Sequence, residues 1–120
     1  MPIQSYRDLD AWRLGMDFVV EIYRLTSVLP QKERYGLSAQ LRRAAVSIPS
    51  NVAEGHQQGT KSCAHFVSVA LGSLAEAETQ IEVASRLRYV SAPDLASVSE
   101  LAVHLGRVLH GLRRSLQTRE

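Results

Sequence analysis

The chain has 120 residues, which predicts one domain over residues 1–120. Its 45% apolar content is that of a folded protein, and aromatics at 6% leave Leu, Val, Ile and Ala to build the core. A net charge of +2 is too small for a dedicated nucleic-acid coat, the single cysteine excludes an intrachain disulfide framework, and no apolar run approaches the ~20 residues that span a bilayer.

Leu9, Trp12, Met16, Val19 and Tyr23 recur at three- and four-residue steps, which predicts a first helix. It starts near Asp8, with Ser5 or Asp8 as its cap, and ends near Leu29, because Pro30 disfavours helical geometry in the residue before it. Trp12 reads as a partly buried anchor rather than a binding residue. Pro30–Gly36 is the first turn.

The second helix runs from about Leu37 to about Gly55. Leu37, Leu41, Ala44, Ala45, Ile48 and Val52 share one face. Pro49 interrupts this pattern, and a proline inside a helix costs about 3 kcal/mol. The apolar spacing nevertheless resumes in phase at Val52 and Ala53. That favours one helix kinked at Pro49 over a break capped by Ser50 or Asn51. Gly55 and Gly59 give the stop signal, with a turn at Gly55–Thr60.

The third helix is the longest, from about Lys61 to about Tyr89. Phe66, Val67, Ala70, Leu74, Ala77, Ile81 and Ala84 mark its main face, and further apolar residues fall outside that stripe. Two buried faces are therefore expected, which suits an oligomer. Gly72 weakens a helix by roughly 1 kcal/mol relative to Ala, so a close helix contact is expected to offset it. After a turn at Val90–Pro93, Ser91, Pro93 and Asp94 form a helix start with a serine cap and an acidic residue three positions on. Leu95, Val98, Leu101, Ala102, Leu105, Val108, Leu109, Leu112 and Leu116 then pattern the fourth helix. The fold class is all-α, an antiparallel up-down four-helix bundle.

Little in the sequence points to chemistry. His56, His65, His104 and His110 are not paired at metal-ligand helical spacing, and neither H-E-x-x-H nor E-x-x-H occurs, so no metal is expected. Phosphate-loop glycine patterns are absent, and no cofactor is expected. Cys63 has no evident base partner, so the chain reads as no enzyme. The start of the sequence lacks a basic segment followed by an apolar one, which predicts a cytoplasmic protein.

Charge offers the remaining clue. Of 14 basic residues, 12 are arginine, and residues 101–120 hold four of them against one Glu. Arginine forks suit phosphates and carboxylates. Arg42 and Arg43 have a structural reading, pairing with Glu54, Glu78 or Glu82 across helices, and a functional one as free cations. In an up-down bundle Arg107, Arg113, Arg114 and Arg119 lie at the opposite end from Arg86 and Arg88, which argues against one continuous basic patch. The candidate nucleic-acid contacts are Arg42, Arg43, Lys61, Arg107, Arg113 and Arg114.

Three stretches also carry a resemblance. Tyr6–Trp12 (YRDLDAW), Tyr35–Gly55 (YGLSAQLRRAAVSIPSNVAEG) and Leu71–Tyr89 (LGSLAEAETQIEVASRLRY) resemble, in order and spacing, the bacterial four-helix proteins encoded in 23S ribosomal RNA intervening sequences, some labelled S23 ribosomal protein. The resemblance implies a bundle that assembles as a ring, usually a pentamer. It also implies kinship in fold with the accessory variability protein of diversity-generating retroelements, which binds a reverse transcriptase and nucleic acid. Two roles follow as expectations: an oligomer associated with RNA or DNA, or a protein-binding accessory subunit of a reverse transcriptase complex. Many relatives carry a basic residue in the loop after the A-E-G motif. Here His56-Gln57-Gln58-Gly59 intervenes before Lys61, which predicts weaker binding if that loop meets nucleic acid.

Overall fold

A computed structural model describes residues 5–118. Four helices account for most of them: α1 (Asp10–Thr26), α2 (Leu37–Gln58), α3 (Thr60–Arg86) and α4 (Ala92–Gln117). Each packs on its two neighbours, α1 on α2 and α4, and α3 on α2 and α4. The backbones of diagonal pairs do not approach closely among the described residues, so the bundle is a square prism, 45 × 24 × 20 Å.

The apolar periodicity lands where the sequence places it. Phe18 and Ile22 of α1, Leu41, Ile48 and Val52 of α2, Val67 and Ala70 of α3, and Leu105 and Leu109 of α4 are fully buried. Burial of such side chains contributes roughly 1.5–3 kcal/mol each against exposure. On α3 only one stripe is buried, from Cys63 and Val67 to Ile81 and Ala84. The apolar residues off that stripe face outward: Val69 is 39% exposed, Val83 41% and Leu87 52%.

Element ends differ from the sequence reading in instructive ways. A separate 3-10 turn, Tyr6–Asp8, precedes α1, and Ser5 caps that turn in a reciprocal box with Asp8. Trp12 sits partly buried, edge-on to Tyr6 at 5.4 Å, with the Arg7 guanidinium over both rings. The helix then stops at Thr26, short of Leu29. Thr26 Oγ1 donates to the carbonyl of Ile22 at 2.8 Å, and the chain tightens through i→i+3 bonds into Leu29.

The second helix passes through Pro49 without interruption. Gly55 does not end it. The expected turn at Gly55–Thr60 shrinks to Gly59 alone, whose φ of +98° only glycine adopts freely. Gly55 is buried because α3 starts against it. A Cβ there would lie 2.9 Å from Phe66 Cβ and 3.1 Å from the Cys63 Cα. The glycine serves close approach rather than a stop, and His56, Gln57 and Gln58 extend the helix instead of forming a loop.

At the far end α3 closes three residues earlier than Tyr89. Tyr89 N–H donates to the Ala84 carbonyl and Arg88 N–H to that of Ser85, both at 3.0 Å, with Arg88 at φ +61°. This is a Schellman closure with arginine at the left-handed position. Ser91 caps α4 as expected, accepting from Asp94 N–H, and Pro93 sits in the first turn.

Candidate nucleic-acid interface

The six candidate cations do not converge on one site. Arg42 lies in the α1–α2 seam. Its Nε donates to Thr26 Oγ1 at 2.8 Å and its guanidinium covers the Tyr23 ring at 4.4 Å. The Thr26 hydroxyl that closes α1 thus also orients Arg42. Arg43 lies in the α2–α3 seam, in a groove shared with Gln40, Ser47, Ser73, Glu76 and Gln80. The expected cross-helix ion pairs of Arg42 and Arg43 with Glu54, Glu78 or Glu82 are absent among the described residues. Glu82 instead pairs with Arg86 one turn away, at 2.9 Å.

Arg107, Arg113 and Arg114 do come together, along a groove between α3 and α4 of about 740 Å³. The spacing explains it: residues 107 and 114 are two turns apart on one face of α4, and residue 113 turns toward α3. Arg113 Nη1 donates to Ser68 Oγ of α3 at 3.5 Å, and its Nη2 meets His110 Nδ1 at 3.2 Å. Leu71, Gly72, Ala75, Ala102, Val103 and Gly106 form the apolar part of the lining, and Glu78 is its acidic side chain. Ser68 also fixes the end of the bundle to which Lys61 belongs. Lys61 is exposed two turns before Ser68, on the same face of α3. Lys61, Arg113 and Arg114 therefore lie toward one end of the molecule, with Arg107 nearer mid-height, where Gly106 faces Leu74. Arg119 lies outside the described residues.

His110, Ser68 and Gly106 are groove residues absent from the candidate set, and the sequence marks Gly72 only as a place for a close helix contact. The recurrence Arg107, His110, Arg114 at i, i+3, i+7 was the available signal. Nothing in the sequence paired α4 with Ser68.

Elsewhere the chemistry is quiet. Cys63 is buried, and burial pushes its thiol up, away from the reactive thiolate. Among the described residues no group of three or more His, Cys, Asp or Glu could hold a metal ion, and no helix is long and apolar enough to cross a membrane.

Against known proteins, the sequence profile described as 23S rRNA-intervening sequence protein matches residues 7–111. The chain belongs to that family. The chain is similar in structure to a crystal structure at 1.70 Å of a protein with unknown function from the S23 ribosomal protein family of Bacteroides thetaiotaomicron VPI-5482. The TM-score is 0.79 at 22% identity, covering 87% of this chain and 95% of that one, which establishes the shared fold. No curated protein matches. The three residue stretches that carry the resemblance thus place the chain correctly in family and fold.

The α1–α2 seam carries a further surface. Tyr23 meets Arg42 there. Met16 lies two turns before Tyr23 on the same face of α1, and Val46 lies one turn after Arg42 on α2. Because the helices are antiparallel, both steps run the same way along the seam. Met16, Tyr23 and Val46 are 40%, 45% and 41% exposed, an apolar strip on the outside of the bundle.

Proposed function

We propose that this chain is a non-enzymatic, oligomeric protein associated with RNA. The observation that carries the reading is the groove between α3 and α4, where Arg107, Arg113 and Arg114 gather against one acidic side chain, Glu78. Guanidinium groups bind phosphate in bidentate fashion, and three in one groove give a local field that the net charge of +2 conceals. The buried, pushed-up thiol of Cys63 supports a non-enzymatic role.

Binding to RNA and DNA titrated against salt tests this. Phosphate contacts lower affinity steeply as salt rises, with a slope of about 0.7 per contact for single strands. Arg113→Gln with Arg114→Gln weakens binding and flattens that slope. Salt-insensitive binding, or none by the parent protein, sinks the reading.

The oligomer is supported by the exposed apolar strip of Met16, Tyr23 and Val46 and by the outward Val69, Val83 and Leu87. A lone subunit leaves these in water, and a ring of identical head-to-tail contacts covers such strips on every copy. Five subunits, the number the resemblance implies, is the ring we propose. Light scattering coupled to size exclusion decides it, and a mass of 13.3 kDa refutes the oligomer. A second reading, a protein-binding accessory subunit for a reverse transcriptase, draws on the same strip. It is favoured if a reverse transcriptase co-purifies and RNA does not bind.

A further inference from the structure

The α3–α4 groove contains a feature that phosphate binding alone does not use. Gly72 sits in the interior of α3, and a Cβ built there meets nothing within 4 Å. The close helix contact expected to offset this glycine is absent among the described residues. Close packing falls instead at Gly15, against Pro49, and at Gly55, against Phe66 and Cys63. A helix-interior glycine is less favourable than alanine, so Gly72 weakens α3 with no return in packing. It lines the groove together with Gly106, and with Ala75, both exposed on the α3 wall, it leaves the buried floor of Leu74 and Ala102 open between the helices.

We propose that this groove takes single-stranded RNA, with unpaired bases against the floor kept open by Gly72 and the phosphates on Arg107, Arg113 and Arg114. The inference rests on the RNA reading above and names the form of RNA. An unpaired base has an apolar face for the floor and polar edges that Ser68, Glu78 and His110 can meet. A duplex hides its base faces and presents phosphates all round. It leaves the floor unused and sets phosphates against Glu78. A docked protein helix would want a continuous apolar trough, whereas Ser68, Glu78 and His110 interrupt this one.

The test uses the full chain, a 12-nucleotide RNA strand and the 12-base-pair duplex containing it, at equal salt. The parent binds the strand more tightly than the duplex. Gly72→Leu fills the floor with a better helix former, so it unfolds at a higher temperature than the parent yet binds the strand about tenfold more weakly, the size of one lost base contact. Ala75→Leu, at an exposed position on the same wall, gives the same loss without touching a glycine. Equal affinity for strand and duplex, or unchanged strand binding in both variants, overturns the single-strand inference while arginine-dependent binding leaves the RNA reading standing. Loss of binding accompanied by a change in mass on light scattering assigns the groove to a second copy and overturns it too. No binding of either RNA by the parent removes both readings.

Discussion

The Tyr89 hydroxyl donates to Glu33 Oε2 at 3.0 Å, joining the α3–α4 turn to the α1–α2 connection across 56 residues of chain. The other carboxylate oxygen of Glu33 accepts from the Leu37 N–H at 3.2 Å, so one side chain serves the start of α2 and the far turn together. Lys32 lies over the Tyr89 ring at 5.9 Å.

This bond makes alkaline stability depend on Tyr89. The hydrogen bond to Glu33, then burial, then the Glu33 charge hold the phenol above its ordinary value. The folded value exceeds the unfolded one, so the contribution is complete below about pH 10 and is lost as pH rises through the folded value. Difference absorbance between the parent and Tyr89→Phe shows one phenol titrating late, and Glu33→Gln moves it back toward the ordinary range. Tyr89→Phe lowers the unfolding temperature at neutral pH and removes this share of the alkaline loss. A Tyr89 phenol that titrates at its free value refutes the argument.

A second prediction concerns Gly15 and Pro49. A Cβ at Gly15 would sit 3.3 Å from both Cβ and Cδ of the buried Pro49 ring. Gly15→Ala gains up to about 1 kcal/mol in helix propensity but overpacks the seam by about 1–3 kcal/mol. Alone it destabilises. Pro49→Ala keeps the fold, because α2 is continuous through that position and regains a backbone donor there. It also removes Cδ, one of the two ring carbons 3.3 Å from position 15, while Cβ and the backbone N stay, so in that background Gly15→Ala costs less than it does alone. Urea unfolding of the four proteins measures the coupling, expected at about 0.5–3 kcal/mol. Additive effects defeat the account.

The acid limb is set at the start of α4. Asp94 Oδ2 accepts from Ser91 N–H at 2.9 Å and from Ser91 Oγ at 2.8 Å. The backbone bond first, and the hydroxyl second, hold the Asp94 carboxyl below its ordinary value of 3.8. A depressed folded value means the stabilisation is present above the unfolded value and fades as pH falls through the folded one. Asp94→Asn therefore lowers the urea midpoint at pH 6 and loses that disadvantage at acid pH, as the parent is protonated through its folded value. An equal deficit at both pH values contradicts this.

Much of the fold is legible in local pattern. The spacing of Leu41, Ile48 and Val52 carries α2 past Pro49, and Ser91, Pro93 and Asp94 announce α4 by themselves. What stays hidden depends on a neighbour from another helix. Gly55 reads as a stop signal in sequence, but its role is set by Phe66 and Cys63, which only the fold brings near. Arg42 carries a charge that invites an acidic partner, yet α1 offers it Thr26 and Tyr23. Of the candidate site, the α4 arginines were visible as a charge excess. Their meeting with Ser68 and Gly72 required knowing how α3 and α4 align.

The last prediction follows from Arg88, the one non-glycine at positive φ among the described residues, at +61°. Left-handed geometry brings the Cβ of an L-residue too close to the following carbonyl, at a cost of roughly 1–2 kcal/mol. Glycine avoids that contact, although it loses more conformational freedom on folding. Arginine brings one compensation, a cation near the C-terminus of α3, worth about 0.3–1 kcal/mol at low salt. Arg88→Gly is therefore expected to stabilise by a few tenths to about 1 kcal/mol at low salt. The gain should grow at 1 M salt, where the screening length falls to about 3 Å and the helix-end charge counts for little. Arg88→Val has neither the charge nor tolerance of positive φ and destabilises at both salts. Urea unfolding of the three proteins at the two salts reads the result, and a glycine variant less stable than the parent at 1 M salt would show that Arg88 holds the turn by a contact other than its charge.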